Sequence, residues 1–294
     1  MSEVRAAGTI YDLGYQRYGG RRLGRLHALR TLGAYSIRGA FGLGRGARSK
    51  FIPSLVVGLV FLPAIAQVGV ASTTGVAAFI NYAGHLRFTA FLLALFAASQ
   101  APELIVSDKQ QGVLSMYLSR PLTGSDYALA KLFALAGAML ALTLAPQLFL
   151  FLGKVFMAVS PWAGFKSEWR KLGPIFGGTL VTSCFMASIG LALSSLAGRR
   201  AYASAAVIAF FLLTSAAAEL IRSVATGEVK RYAVLANPIV LFTGFTDWLF
   251  DIEAKRRTAV GRADLPGSTY AYVIIAVCLV AIAILVARYR RTEA

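Results

Sequence analysis

Two apolar runs, Leu172–Leu196 and Ala201–Ile221, are separated only by residues 197–200. Each has about the twenty residues that a helix needs to cross the ~30 Å hydrocarbon core of a bilayer. So short a link allows these two segments one arrangement, an antiparallel pair joined by a tight turn. Four further runs of similar length occur at about 51–71, 87–106, 127–152 and 269–287. A segment crossing lipid must satisfy its backbone polar groups internally, so each run is predicted to be a helix. The pattern predicts an all-α membrane protein with six transmembrane helices. Composition agrees, with charged residues at 15% of 294 and a mean hydropathy of +0.65, whereas a soluble domain carries about 25% charged residues. Pro53, Pro63 and Pro146 fall inside the runs and are predicted to kink or end their helices.

The formal net charge is +17, with Lys and Arg numbering 30. A nucleic-acid-binding protein is also basic. Here, however, no basic helix stands apart from the spans with the interleaved aromatics that stacking on bases requires. The basic residues flank spans instead. An even number of spans puts both chain ends on one side, and 18 of the 30 Lys and Arg lie on that side. Seven of the others lie in the long segment 222–268, which counts little toward orientation. The bias predicts a multi-pass membrane protein with both termini cytoplasmic. The first fifty residues hold no apolar stretch of signal-peptide type, so no cleaved leader is expected.

Between the spans the character changes. Residues 1–20 are rich in Gly and Tyr and are predicted to be irregular. From residue 21, Leu23, Leu26, Leu29, Ile37 and Phe41 recur at helical spacing, with Arg21, Arg22, Arg25, Arg30 and Arg38 among them. The spacing predicts an amphipathic helix in the membrane interface. Leu26, Leu29 and Ile37 would face lipid or the bundle, and Arg25 and Arg30 the head groups. The run Gly42–Gly46, "GLGRG", reads as a flexible hinge. Residues 236–250 are apolar but too short to span, which predicts a re-entrant or interfacial segment with Phe245, Trp248 and Phe250 at head-group level. Residues 251–267 are predicted to be solvated.

Catalytic chemistry is sparse. His27 and His85 are the only histidines, and the predicted orientation puts them on opposite membrane faces, which excludes a shared triad or metal site. Cys184 and Cys278 sit in apolar runs as small hydrophobes, with no disulfide framework. No G-x-x-x-x-G-K-[ST] loop occurs in the sequence. No cofactor is expected on this chain, and any ATP and Mg would sit in another subunit. Two acids border spans. Glu103 is predicted to pair with Lys109 or an Arg of the N-terminal helix, and Glu219 with Arg222; a position along a substrate pathway stays open for both.

One polar segment remains, "SDKQQGVLSMYLSRPLTGSDYALAK" from Ser107 to Lys131. Its core reads as a short amphipathic helix, about 107–121, stopped by Pro121. The segment resembles the cytoplasmic segment of ABC transporter permeases of the type-2 exporter class. The resemblance rests on Asp108 and Lys109, then Gly112, the apolar Val113–Leu118, Ser119–Arg120–Pro121, Ser125–Asp126, and Tyr127 with Lys131. An amphipathic helix before the first span and an "NP" before the last also fit. The resemblance implies a permease that works as a homodimer, or paired with a second permease, and exports its cargo. It also implies separate ATP-binding cassette ATPase subunits that dock on a coupling helix. Asp108, Lys109, Gln111, Gly112, Leu114, Tyr117, Leu118, Arg120 and Pro121 would carry that contact, as in helix-in-groove recognition. An ATP-independent carrier or channel is the alternative; it would keep the spans and need no such partner. The charge bias gives a direct test of orientation. A cysteine introduced after Arg291 should react with an impermeant reagent only from the cytoplasm, and one at Arg256 only from outside. Labelling of both from one side would refute the six-span topology.

Overall fold

The computed structural model describes residues 24–44, 46–76, 79–113, 116, 122–254 and 256–290. The helices are α1 (Arg25–Ala40), α2 (Ala47–Thr74), α3 (Tyr82–Gln110), α4 (Gly124–Met157), α5 (Pro161–Glu168), α6 (Leu172–Leu196), α7 (Arg200–Val224), α8 (Gly227–Tyr232), α9 (Pro238–Leu249), α10 (Ala259–Ala263) and α11 (Gly267–Arg290). Short 3-10 turns, Trp169–Lys171 and Ala233–Ala236, precede α6 and α9. Among the described residues there is no strand, and α2, α3, α4, α6, α7 and α11 are long and apolar enough to cross a membrane. The chain is an all-α, multi-pass membrane protein.

Several helix ends differ from the sequence expectation, each for a local reason. The second span does not stop at Val106. It runs on to Gln110, so Asp108 and Lys109 belong to its last turn rather than to a separate helix. What ends it is Gly112, in the left-handed region at φ +67. Gly112 N–H donates to the Lys109 carbonyl at 3.3 Å and Val113 N–H to the Asp108 carbonyl at 3.2 Å. That is a Schellman termination, which favours glycine for its backbone freedom. Nothing lies within 4 Å of where a Cβ on Gly112 would be, so conformation and not crowding requires it. Pro53, Pro63, Pro102 and Pro146 lie inside continuous helices, so none of them ends a span.

The corner between α1 and α2 is tighter than a hinge. Gly42 (φ +67) terminates α1 by the same motif, with Leu43 N–H donating to the Arg38 carbonyl at 2.9 Å. A Cβ at Gly42 would lie 2.6 Å from the Ser49 carbonyl oxygen. That carbonyl sits four residues before Pro53, which has no N–H to donate to it.

α6 is the central helix and packs on α3, α4, α7 and α11. Small residues permit the approach: a Cβ on Gly190 would lie 3.1 Å from that of Ala97 and 3.3 Å from that of Ala101, both on α3. The many hydroxyls of α6 do not obstruct its burial. Thr179, Thr182 and Ser183 donate to carbonyls one turn back at 2.7–2.8 Å, which satisfies them within the helix. His85 is likewise a core residue, its Nε2 3.1 Å from the Val60 carbonyl.

α9 is about 18 Å long, too short to cross. Asn237 caps it by accepting from Ile239 and Val240 N–H. Phe245 and Phe250 are buried rather than set among head groups, while Trp248 is half exposed. They turn inward because α9 packs on α3 and α11. The stretch expected to be solvated contains α10, which buries Val260 and Ala263. Gly244 of α9 lies flat on the Tyr270 ring, leaving 2.6 Å for a Cβ, whereas Gly177 of α6 has nothing within 4 Å. Gly244→Ala should therefore cost about 1–3 kcal/mol through overpacking. Gly177→Ala should leave stability unchanged or raise it. Thermal unfolding of the two variants in nanodiscs checks the opposite signs.

Candidate functional site

The last turn of α3 and the first two turns of α4 bracket residues 111–123. Tyr127 and Lys131 are four residues apart and so share one face of α4. Both reach Asp108: its Oδ2 lies 2.7 Å from Lys131 Nζ and accepts from the Tyr127 hydroxyl at 2.8 Å. The Lys131 side chain is 2% exposed and that of Asp108 14%. The Tyr127 ring packs on Tyr289 of α11 at 5.1 Å. Lys109 points the other way. Its Nζ donates to the Ser195 carbonyl at 2.5 Å and lies 5.5 Å from the Tyr289 ring centroid. Ser195 is in the last turn of α6, where carbonyls lack an intrahelical partner and a cation is favoured. Gln110 adds a bond to the Gly198 carbonyl at 3.3 Å. The end of α3 is thus tied to α4, α6 and α11 and to the turn after α6.

Glu103 pairs with Arg200 of α7 at 2.8 Å, a partner that sequence reasoning does not name. Lys109 is already turned to α6, and Arg200 sits at the tight turn beside α3. Glu219 pairs with Arg222 at 2.6 Å. Arg25, whose side chain is 58% exposed, also reaches into the bundle. Its guanidinium holds both oxygens of Asp126 at 2.8 and 2.7 Å. Asp126 in turn completes a capping box with Thr123 at the start of α4. The reason is register: Arg25 lies in line with Leu32, Ser36 and Gly39, the buried face of α1, which packs on α4. Leu29 packs against the core with that face, and Arg30, Leu26 and Ile37 are exposed.

Among the proposed coupling residues, Asp108 and Lys109 therefore turn into the bundle, Gln111 is exposed, and Gly112 shapes the turn. Leu114, Tyr117, Leu118, Arg120 and Pro121 lie outside the described residues. Met116, within the same stretch, is helical and 65% exposed.

Toward the other end of the bundle, α3, α7 and α9 enclose an apolar crevice of about 560 Å³. Phe91, Leu95, Phe211, Leu212, Ile239 and Phe242 line it, with Arg87 at its head. Arg87 Nε donates to Thr246 Oγ1 at 2.7 Å, and a terminal nitrogen of the same guanidinium bonds Asp247. Burial raises the Asp247 carboxyl above its ordinary value, against the opposing effect of the Arg87 charge and hydrogen bond. Sequence reasoning singles out Glu103 and Glu219 and passes over this pair. The available signal was one Arg and one Asp each embedded in apolar sequence, which are costly unless matched. Among the described residues, no group of three or more His, Cys, Asp or Glu is placed to hold a metal.

Because Lys131 and Asp108 are buried together, removing one partner strands the other. Asp108→Asn and Lys131→Met should each cost about 3–5 kcal/mol. The double variant should cost less than the sum by about 1–3 kcal/mol. Unfolding of the four proteins in nanodiscs measures the coupling, and strict additivity would mean that the pair contributes nothing as a pair.

Compared with known protein families, the chain matches the ABC-2 family transporter proteins over residues 11–294. No curated protein matches it. A match over nearly the whole length, on a bundle of spanning helices tied at the ends of α3 and α4, leaves one assignment. The chain belongs to the ABC-2 transporter family of membrane proteins, whose members are generally the permeases of ABC transporters.

Proposed function

We propose that the chain is the permease subunit of an ATP-driven exporter in the bacterial plasma membrane, working as a dimer with itself or a second permease. Separate ATPase subunits, with their ATP and Mg, would dock on the cytoplasmic segment 111–121. The observation that carries this reading is the Asp108–Lys131–Tyr127 clamp. A force applied to a short segment between two spans is useful only if both spans respond. The clamp joins the two flanking helix ends, and Tyr289 and Ser195 extend the tie to α11 and α6. Closure of the ATPases would then move four spans together and alternate access across the membrane. The small-residue content of α2 and α7 supports contact with the second permease. The crevice under Arg87 would form part of the wall that an amphipathic cargo meets.

Leu114→Asp combined with Tyr117→Asp puts two carboxylates on the proposed contact surface. An unpaired buried charge costs several kcal/mol, about a thousandfold or more in affinity. The variant should insert and dimerise, yet lose a soluble subunit carrying a Walker A loop on purification, and lose transport. Arg120→Glu should do the same more mildly, because a rim charge contributes less. Retention of the ATPase and of normal transport by the double variant would exclude this coupling.

A further inference from the structure

The link between α4 and α6, "SPWAGFKSEWRK", is built as a two-faced platform. Ser160 caps α5 by accepting from Ala163 N–H at 3.3 Å, with Pro161 at the first helical position. Its inner face is fixed to the bundle. Gly164 lies against the Val155 carbonyl and the Ala158 methyl, where any side chain would collide. Glu168 accepts from the Tyr82 hydroxyl at 3.1 Å and lies 3.6 Å from Lys154 Nζ. Glu168 is the one acid between Asp126 and Glu219, and it is turned inward with its side chain 19% exposed.

The outer face is aromatic and basic. Trp162 is 65% exposed and Trp169 53%. Phe165 stacks on Trp162 at 6.0 Å, and Lys166 Nζ stands 5.5 Å from the same indole. Lys166 and Arg170 are exposed. With its only carboxylate withdrawn, this face presents cations beside indoles at the level where two spans end. Indole rings favour the head-group layer, and basic side chains there attract anionic lipid.

We propose that α5 and the following turn Trp169–Lys171 form a docking surface for anionic phospholipid head groups. The indoles sit at the glycerol level, and Lys166 and Arg170 hold lipid phosphates. This surface is separate from the coupling segment and does not depend on the exporter reading.

The test uses the full-length protein in nanodiscs of equal phosphatidylcholine and phosphatidylglycerol. Bromines are placed near the head-group end of the acyl chains of one lipid or of the other, so that overall composition never changes. Brominated phosphatidylglycerol should quench tryptophan fluorescence at least about twofold more than brominated phosphatidylcholine. The excess should vanish in Trp162→Phe/Trp169→Phe, where Trp248 remains as the reference, and in Lys166→Gln/Arg170→Gln. Equal quenching by the two lipids would overturn the proposal. So would an excess that survives either variant, or indoles reached by aqueous iodide and by neither lipid.

Discussion

The ammonium of Lys131 is withdrawn from water at the end of a membrane bundle, and an isolated charge there would be costly enough to force its neutralisation. Asp108 answers that charge, and the geometry of the answer organises the region. To bring a carboxylate to Lys131, α3 must continue past the apolar part of its span for a further turn. Tyr127 then donates a second bond to the same Asp108 oxygen and offers its ring to Tyr289. Buried pairs of this kind seldom add net stability over apolar packing, but they strongly disfavour any arrangement in which one partner is alone. The contact therefore acts chiefly on specificity, fixing which helix ends meet.

The opposite end of the bundle solves a similar problem with different residues. Arg87 and Asp247 bring α9, which cannot cross the membrane, against α3, while Ser215 of α7 donates to the Asn237 cap at 3.3 Å. Tyr82, Glu168 and Lys154 do the same for α5. Polar side chains thus gather at the two rims of the bundle. Between them the helices pack through apolar side chains, with Gly190 against Ala97 and Ala101 allowing the close approach of α6 to α3 and the hydroxyls of Thr179, Thr182 and Ser183 satisfied within α6.

The number and helical nature of the spans were legible in the sequence because the bilayer imposes a length and forbids unpaired backbone. Helix ends were less legible. Hydropathy drops at Ser107 although the helix does not, because its termination is decided by the backbone freedom of Gly112 and not by polarity. Aromatic placement misled for a related reason: composition cannot say which of Phe245, Trp248 and Phe250 faces inward, since that depends on what α9 packs against. Of the candidate site, Asp108, Lys109, Tyr127 and Lys131 were visible as a spaced pattern. That Asp108 pairs with Lys131, and that Arg25 holds Asp126, depends on contacts across about a hundred residues of chain for Arg25 and on α3 and α4 lying side by side.

The corner at Gly42 has a mechanical consequence. A Cβ at Gly42 would meet the Ser49 carbonyl at 2.6 Å, so the corner can be this tight only with glycine there. α1 and α2 therefore meet at a close corner that a side chain at residue 42 would force apart. α1 lies along α4 and is held to its cap through Arg25, so a torque applied to α1 would reach α2, a helix that is largely exposed in the single chain. Rolling of α1 would then be felt as a change in the tilt of α2.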